Sequence, residues 1–291
     1  MNSYKSKAIF YLPGVFQQKN MYALLMTEYV NHKEKFKNNV EIGCVYDSPM
    51  CVWNGGRLST VHYGKEELEE IRDFYKNIDI PVRFTFTNCL LENKHIGDVY
   101  GNLLLEIFNT GRNEIICNSQ VLEDYIRTKY KKSFKYISST TKRLSDKDEQ
   151  SDELKKDYYL VVLDYDHNKD FDFLNSIKKK KKCELLCNPV CSPNCPKRKA
   201  HYIKISKGQI DNEHSLNFPC QDQGRMYYQV KNLPNYIGPN DIDTYLDMGY
   251  NHFKLEGRTA APSDLIEILV DYLIKDDYAL EMRERLQQTI W

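Results

Sequence analysis

The chain has 291 residues, of which 41% are hydrophobic and 28% charged, an ordinary composition for a globular protein. Lys plus Arg and Asp plus Glu number 41 each, so no net field draws the whole surface to nucleic acid or to a membrane, and only local patches remain open. No apolar run approaches the roughly 20 residues that span a bilayer, and the start, MNSYKSKAIFYLPG, has too short an apolar core for a signal peptide.

Residues 7–12 (KAIFYL) read as a strand ended by Pro13-Gly14. Residues 21–36 carry Tyr22, Leu25, Met26, Tyr29 and Val30 at helical spacing. A second strand at 40–46 runs into the loop DSPMCVWNGGR, and the helix at 66–75 opens on Glu66-Glu67, which suits its dipole. A third strand at 81–87 precedes a helix at 95–108, a fourth at 114–117 precedes a helix at 120–130, and a fifth lies at 134–138. Residues 141–157 are nearly all polar and read as a solvated helix or loop. A sixth strand at 158–163, a short helix at 171–177 and a seventh strand at 183–187 lead into an excursion, 188–240, counted as loop. A helix at 242–248, an eighth strand at 252–255, an amphipathic helix at 262–273 and a helical tail from 277 complete the chain.

Eight strands alternating with helices predict an α/β fold, a (β/α)8 TIM-like barrel, as one domain over 1–291 with the excursion after the seventh strand. A doubly wound sheet is disfavoured because no strand is followed by G-x-G-x-x-G or a P-loop. Side chains alternate across a strand. Val82, Phe84 and Phe86 therefore share a face opposite Arg83, Thr85 and Thr87; Phe253 and Leu255 oppose Lys254, Glu256 and Arg258; Glu184 and Asn188 oppose Cys183 and Cys187. The apolar sets belong against the helices and the polar sets inside, where they form either an ion-pair brace or a site. Residues at the C-terminal strand ends lean functional, since barrel active sites sit at that mouth. Arg83, Glu256 and Arg258 are the catalytic candidates, with Asn88 and Asn188 beside them as substrate-binding residues.

Nine cysteines without an export signal point to reduced thiols in a cytoplasm. Cys44, Cys51, Cys89 and Cys117 are scattered singly, as small buried hydrophobes are. Cys187, Cys191 and Cys195 form C-x3-C-x3-C, with Cys220 further on, in a loop that Pro189, Pro193 and Pro196 keep from being a continuous helix. Four soft thiolates suit an iron–sulfur cluster, whereas structural zinc normally uses a closer C-x2-C knuckle. Parity makes Cys187 equally a core residue, so Cys191, Cys195 and Cys220 are the firmer ligands and the fourth is Cys187 or Cys89. Lys197, Arg198, Lys199 and His201 follow the loop, and Arg198 and His201 are placed to hold an anionic substrate or offset a cluster's charge. The lysine run 178–182 reads as a solvated helix end; as a phosphate-tracking patch it lacks interleaved aromatics.

Two stretches, ELLCNPVCSPNCPKRKAHY and FKLEGR, resemble the peptidase U-32 (collagenase-like) superfamily, with Glu184 through Cys195 and Lys254, Glu256, Gly257 and Arg258 carrying the likeness. The chain departs from that pattern at Pro189-Val190, where a Gly-small pair is usual. The resemblance implies a TIM-like barrel and, in several branches, a four-cysteine 4Fe–4S cluster used in oxygen-independent hydroxylation of RNA bases and quinone precursors. Peptidase activity is the family's older label. Three functions follow as expectations. The first is a cluster-dependent redox or hydroxylase-like enzyme acting on an RNA base or a small ring substrate, with an electron donor as partner. The second is a peptidase or other hydrolase, although no G-x-S-x-G or H-E-x-x-H is present. The third is a non-catalytic binding protein whose metal, iron–sulfur or zinc, only staples the loop.

Overall fold

The structure of the chain is a computed structural model that describes residues 6–213, 215–220, 222 and 224–290. Eight parallel strands, β1 (Ala8–Pro13), β2 (Val40–Asp47), β3 (Val82–Phe86), β4 (Glu114–Cys117), β5 (Lys135–Ser138), β6 (Leu160–Val162), β7 (Cys183–Leu186) and β8 (His252–Lys254), close in sequence order into a barrel, β8 pairing back onto β1. Helices α1 (Lys19–Asn31), α2 (Lys65–Asn77), α3 (Val99–Ile107), α4 (Gln120–Tyr130), α5 (Lys147–Glu153) and α6 (Phe171–Ser176) follow the first six strands in turn. After β7 come α7 (Arg198–Ile210), α8 (Tyr227–Val230) and α9 (Ile242–Asp247), and after β8 come α10 (Pro262–Leu273) and α11 (Asp276–Gln287). This is the (β/α)8 barrel that the strand–helix alternation predicts.

The period of two along each strand divides most of the core into an outer and an inner compartment, and a small third cluster, Tyr165, Leu186 and Cys191, lies apart from both. Outward residues such as Phe10, Phe84, Phe86, Cys183, Cys187 and Phe253 join the helices in one large apolar layer. There Phe84 stacks on Phe86 at 5.4 Å and meets Phe108 edge-on at 5.0 Å, geometries that add to plain area burial. Inward residues Tyr11, Cys44, Tyr46, Ile116, Ile137, Leu160 and Val162 form a second, smaller cluster inside the barrel.

The remaining interior is ionic. Arg83 is fully buried, donates to Glu114 at 2.8 Å and to both oxygens of Glu184 at 2.8 Å, and lies 4.1 Å from the Tyr11 ring. Tyr11 Oη meets His252 Nδ1 at 2.6 Å. Burial pushes the His252 imidazole down to about 4, so it is neutral at pH 7. A buried guanidinium between two carboxylates is a brace whose partners cannot be removed singly without leaving an uncompensated charge.

Two stretches differ from the sequence reading. Residues 147–153 are helical, but Gln150 and Glu153 are buried rather than solvated: Glu153 accepts from Ser138 and Lys142, and Gln150 accepts from the Asp164 amide at 2.8 Å. The excursion after β7 is not all loop, because α7 runs through 13 of its residues. The buried face of α7 is Arg198, Tyr202, Ile205, Ser206 and Gln209, spaced as one helical stripe, and its polar members hide the apolar periodicity.

Candidate active site at the barrel mouth

Four loops converge where the strands end. The loop after β2 turns at Gly55 and Gly56 and delivers Arg57 over the mouth. A Cβ on Gly55 would stand 2.5 Å from the Thr87 carbonyl carbon, and Gly56 has φ +75°, so glycine is required at both positions. Arg258, just past β8, locks this loop in place. Its guanidinium donates to Asn54 Oδ1 at 3.0 Å, to Thr85 Oγ1, to the Gly55 carbonyl at 2.7 Å and to the Arg57 carbonyl at 3.2 Å, with Asp47 3.7 Å away. Arg258 therefore positions Arg57. Asp47 is also buried, and burial lifts its carboxyl to about 6 against the pull of Arg258 and three backbone amides.

Glu256 pairs with Arg57 and accepts from the Val190 amide at 3.1 Å. Asn188 ties the ends of β7 and β8 together, donating to the Glu256 carbonyl and accepting from its amide, both at 2.7 Å. On either side of the Arg57–Glu256 pair lies a hollow. The central one, about 80 Å³, sits over the barrel axis among Tyr46, Thr85, Thr87, Tyr165 and Lys254. The lateral one, about 340 Å³, opens beneath the excursion among Val190, Cys191, His201, Phe218, Cys220 and Ile268. Arg57, Glu256 and Arg258 line both.

Lys254 is the unusual group. Its side chain is only 8% exposed, yet among the described residues its ammonium makes no hydrogen bond; Glu184 Oε1 is 3.9 Å away and the Tyr46 ring 4.0 Å. Burial, opposed in part by Glu184, pushes it down to about 8. Sequence parity places Lys254 inside the barrel without marking it as a site residue. Arg57 is absent from the sequence reading too; the available signal was a Gly-Gly-Arg loop at a strand's C-terminal end.

The other expected residues fall in three settings. Glu256, Arg258, Asn188 and His201 come together at the two hollows. Arg83 lies below the mouth in the ionic brace, where it shares Glu184 with Lys254. Arg198 and Asn88 face inward rather than toward a substrate. Arg198 is 1% exposed, held by Asp164 at 3.2 Å and Asp166 at 2.9 Å over the Tyr165 ring. Asn88 Nδ2 donates to the carbonyls of Val52 at 2.7 Å and Ser206 at 3.0 Å, and its Oδ1 accepts from the Leu90 amide at 2.9 Å.

The cysteines do not converge. Cys187 points outward into the helix-facing core, and burial raises its thiol well above the ordinary range. Cys191 and Cys220 both face the lateral hollow, while Cys195 sits half-buried in the turn before α7. Cys89 is occupied with Ser206 Oγ at 3.3 Å. No three His, Cys, Asp or Glu side chains among the described residues could hold a metal ion. The set Cys187, Cys191, Cys195 and Cys220 thus does not fit a four-thiolate cage, because alternation sends Cys187 to the opposite side of β7 from the mouth.

No helix among the described residues is long and apolar enough to cross a membrane. No protein-family model and no curated protein matches the chain. Among solved structures, the U32 peptidase Mk0906 shares its fold, with a TM-score of 0.54 and 12% identity over 88% of this chain and 95% of that one. What the two chains share is the (β/α)8 barrel fold.

Proposed function

We propose that the mouth is the reaction centre of a hydrolase that cleaves an amide or ester bond in a small substrate, with Lys254 as general base. The observation that carries this reading is the buried Lys254 ammonium, which makes no hydrogen bond among the described residues, lies 3.9 Å from Glu184 and is pushed down to about 8 at the C-terminal end of a barrel strand. At pH 7 about a tenth of such an amine is neutral, against well under a thousandth for an ordinary lysine. Neutral Lys254 takes a proton from a water as that water's oxygen bonds to the acyl carbon. The ammonium then returns the proton to the departing nitrogen or oxygen as its bond to carbon breaks. Arg57, fixed by Arg258 and paired with Glu256, faces the acyl oxygen on which negative charge develops. The U32 peptidase that shares the fold is named for amide hydrolysis, which agrees with this class of reaction.

The test is a panel of N-acyl amides and acyl esters incubated in ¹⁸O-water and followed by mass spectrometry. The wild type should place one ¹⁸O in the product carboxylate, with a rate that rises with pH through a limb near 8. Lys254→Met and Lys254→Arg should each lower kcat by about 10²-fold or more. Full turnover by Lys254→Met would overturn the reading. A second reading, cluster-dependent redox or hydroxylase-like chemistry, is favoured by Cys191 and Cys220 opening on one hollow. It requires Cys195 and a further ligand to reach them. Anaerobic purification yielding about four iron and four sulfide per chain would put it ahead of hydrolysis.

A further inference from the structure

The lateral hollow is four times the size of the central one and differs from it in chemistry, about 340 Å³ against about 80 Å³. Its walls are Val190, Phe218, Tyr227, Val230 and Ile268, with His201 lying flat on Phe218 at 4.6 Å and 6° between ring planes. Burial and the nearby Arg57 lower the His201 pKa, so this wall is an uncharged aromatic surface at neutral pH. The acids in the lining are already engaged. Asp222 accepts from the Ser192 amide at 2.7 Å, from its hydroxyl at 2.9 Å and from Arg225 at 2.6 Å. Asp264 accepts from the Tyr227 amide at 3.0 Å. Among the described residues, two of the three lining carboxylates are thus paired with arginines, Asp222 with Arg225 and Glu256 with Arg57, while Asp264 at the edge accepts only a backbone amide. An apolar ring would find aromatic and aliphatic walls, and the face of an aromatic ring suits a guanidinium neighbour.

We infer that the lateral hollow is the specificity pocket of the mouth, seating an aromatic side group carried by the acyl part of the substrate, with Arg57 and Glu256 marking the joint between ring and reacting carbonyl. The inference rests on the acyl-hydrolysis reading, whose carboxylate product would lie between Arg57 and Lys254. The two hollows share Arg57, Glu256 and Arg258 in their walls, so in this proposal the ring and the carbonyl are joined past the Arg57–Glu256 pair by a short alkyl link. The substrate class is therefore an arylalkanoyl amide or ester.

The test uses two product-like acids, propionate and 3-phenylpropionate, titrated calorimetrically into the intact chain. Both should bind, and 3-phenylpropionate should bind at least about tenfold tighter, as expected when a phenyl group leaves water. Ala260→Trp projects bulk into the lateral hollow from the turn after β8. It should abolish the tenfold preference while leaving propionate affinity within about twofold. As a measurement that needs no variant, ring protons of bound 3-phenylpropionate should show NOEs to labelled Phe218 and Val230. Equal affinity for the two acids, or a ring without NOEs to either residue, overturns the pocket assignment and leaves the mouth reading standing. Absence of binding by both acids overturns the two together.

Discussion

Replacing Lys254 by Met removes a charge that the fold holds at a cost, and the cost has a pH signature. The amine titrates at about 8 in the folded chain against 10.5 in its ordinary setting. That difference corresponds to roughly 3 kcal/mol of destabilisation wherever both states carry the proton. Below pH 8 folded and unfolded chains are both protonated at Lys254, and the full penalty applies. Between 8 and 10.5 the unfolded chain keeps a proton that the folded one has released, so wild-type stability rises with pH relative to the variant. Lys254→Met should accordingly be more stable than wild type by up to about 3 kcal/mol at pH 7, with the gap closing toward pH 10.5. Urea unfolding of both proteins at half-unit steps from pH 7 to 10.5 reads this directly. Taking the difference cancels the other titrating side chains, which are common to both proteins. A gap that stays constant across that range would mean Lys254 titrates as an ordinary lysine, and the argument for its role would fall. Gained stability with lost turnover is the trade expected of a strained site residue.

Other consequences can be measured independently. Arg258→Met leaves Asp47 buried without its counter-charge and frees the loop carrying Arg57. It should cost about 3–5 kcal/mol in urea unfolding, and a loss under about 1 kcal/mol would refute the locking role. His252, titrating at about 4, should give the NMR signature of a neutral imidazole at pH 5. Because the unfolded chain takes up that proton between 6.5 and 4, His252 withdraws roughly 3 kcal/mol of stability over the same acid range; a folded-state titration near 6.5 would contradict this. Alkylation mapped by mass spectrometry should label Cys195, Cys220 and Cys89 first. Cys44, Cys117, Cys183 and Cys187, all at 0% exposure, should react only on unfolding. Early labelling of Cys187 would show that it faces the loop rather than the core.

Strand order and inner and outer faces were legible because period-two alternation is a local property. Arg83 between Val82 and Phe84, and Lys254 between Phe253 and Leu255, declare their side of the barrel without any knowledge of tertiary contacts. Depth is not local. Arg83 shares its face with mouth residues but sits low enough on β3 to meet Glu114 and Glu184, which fixes it as part of the brace. The helix α7 was hidden because three of its buried positions, Arg198, Ser206 and Gln209, are polar and bonded to distant partners: Asp164 and Asp166 for the first, the Cys89 amide for the second, Asn54 and the Ser59 amide for the third. Cysteine spacing misleads for a related reason. C-x3-C-x3-C crosses the end of β7, so the chain direction changes between Cys187 and Cys191 and equal spacing no longer means a shared side. Arg57 became visible only when loop and strand ends were brought together, since nothing in its own stretch pairs it with Glu256, 199 residues away.

The most direct measurement is the titration of the Lys254 amine itself, by NMR of the chain carrying ¹³Cε-labelled lysine. The signal is assigned by its disappearance in Lys254→Arg, and the titration is run with and without propionate. The account predicts an apparent pKa near 8 in the free protein, displaced upward when the carboxylate binds beside the ammonium. A titration above 10, unmoved by propionate, would contradict it.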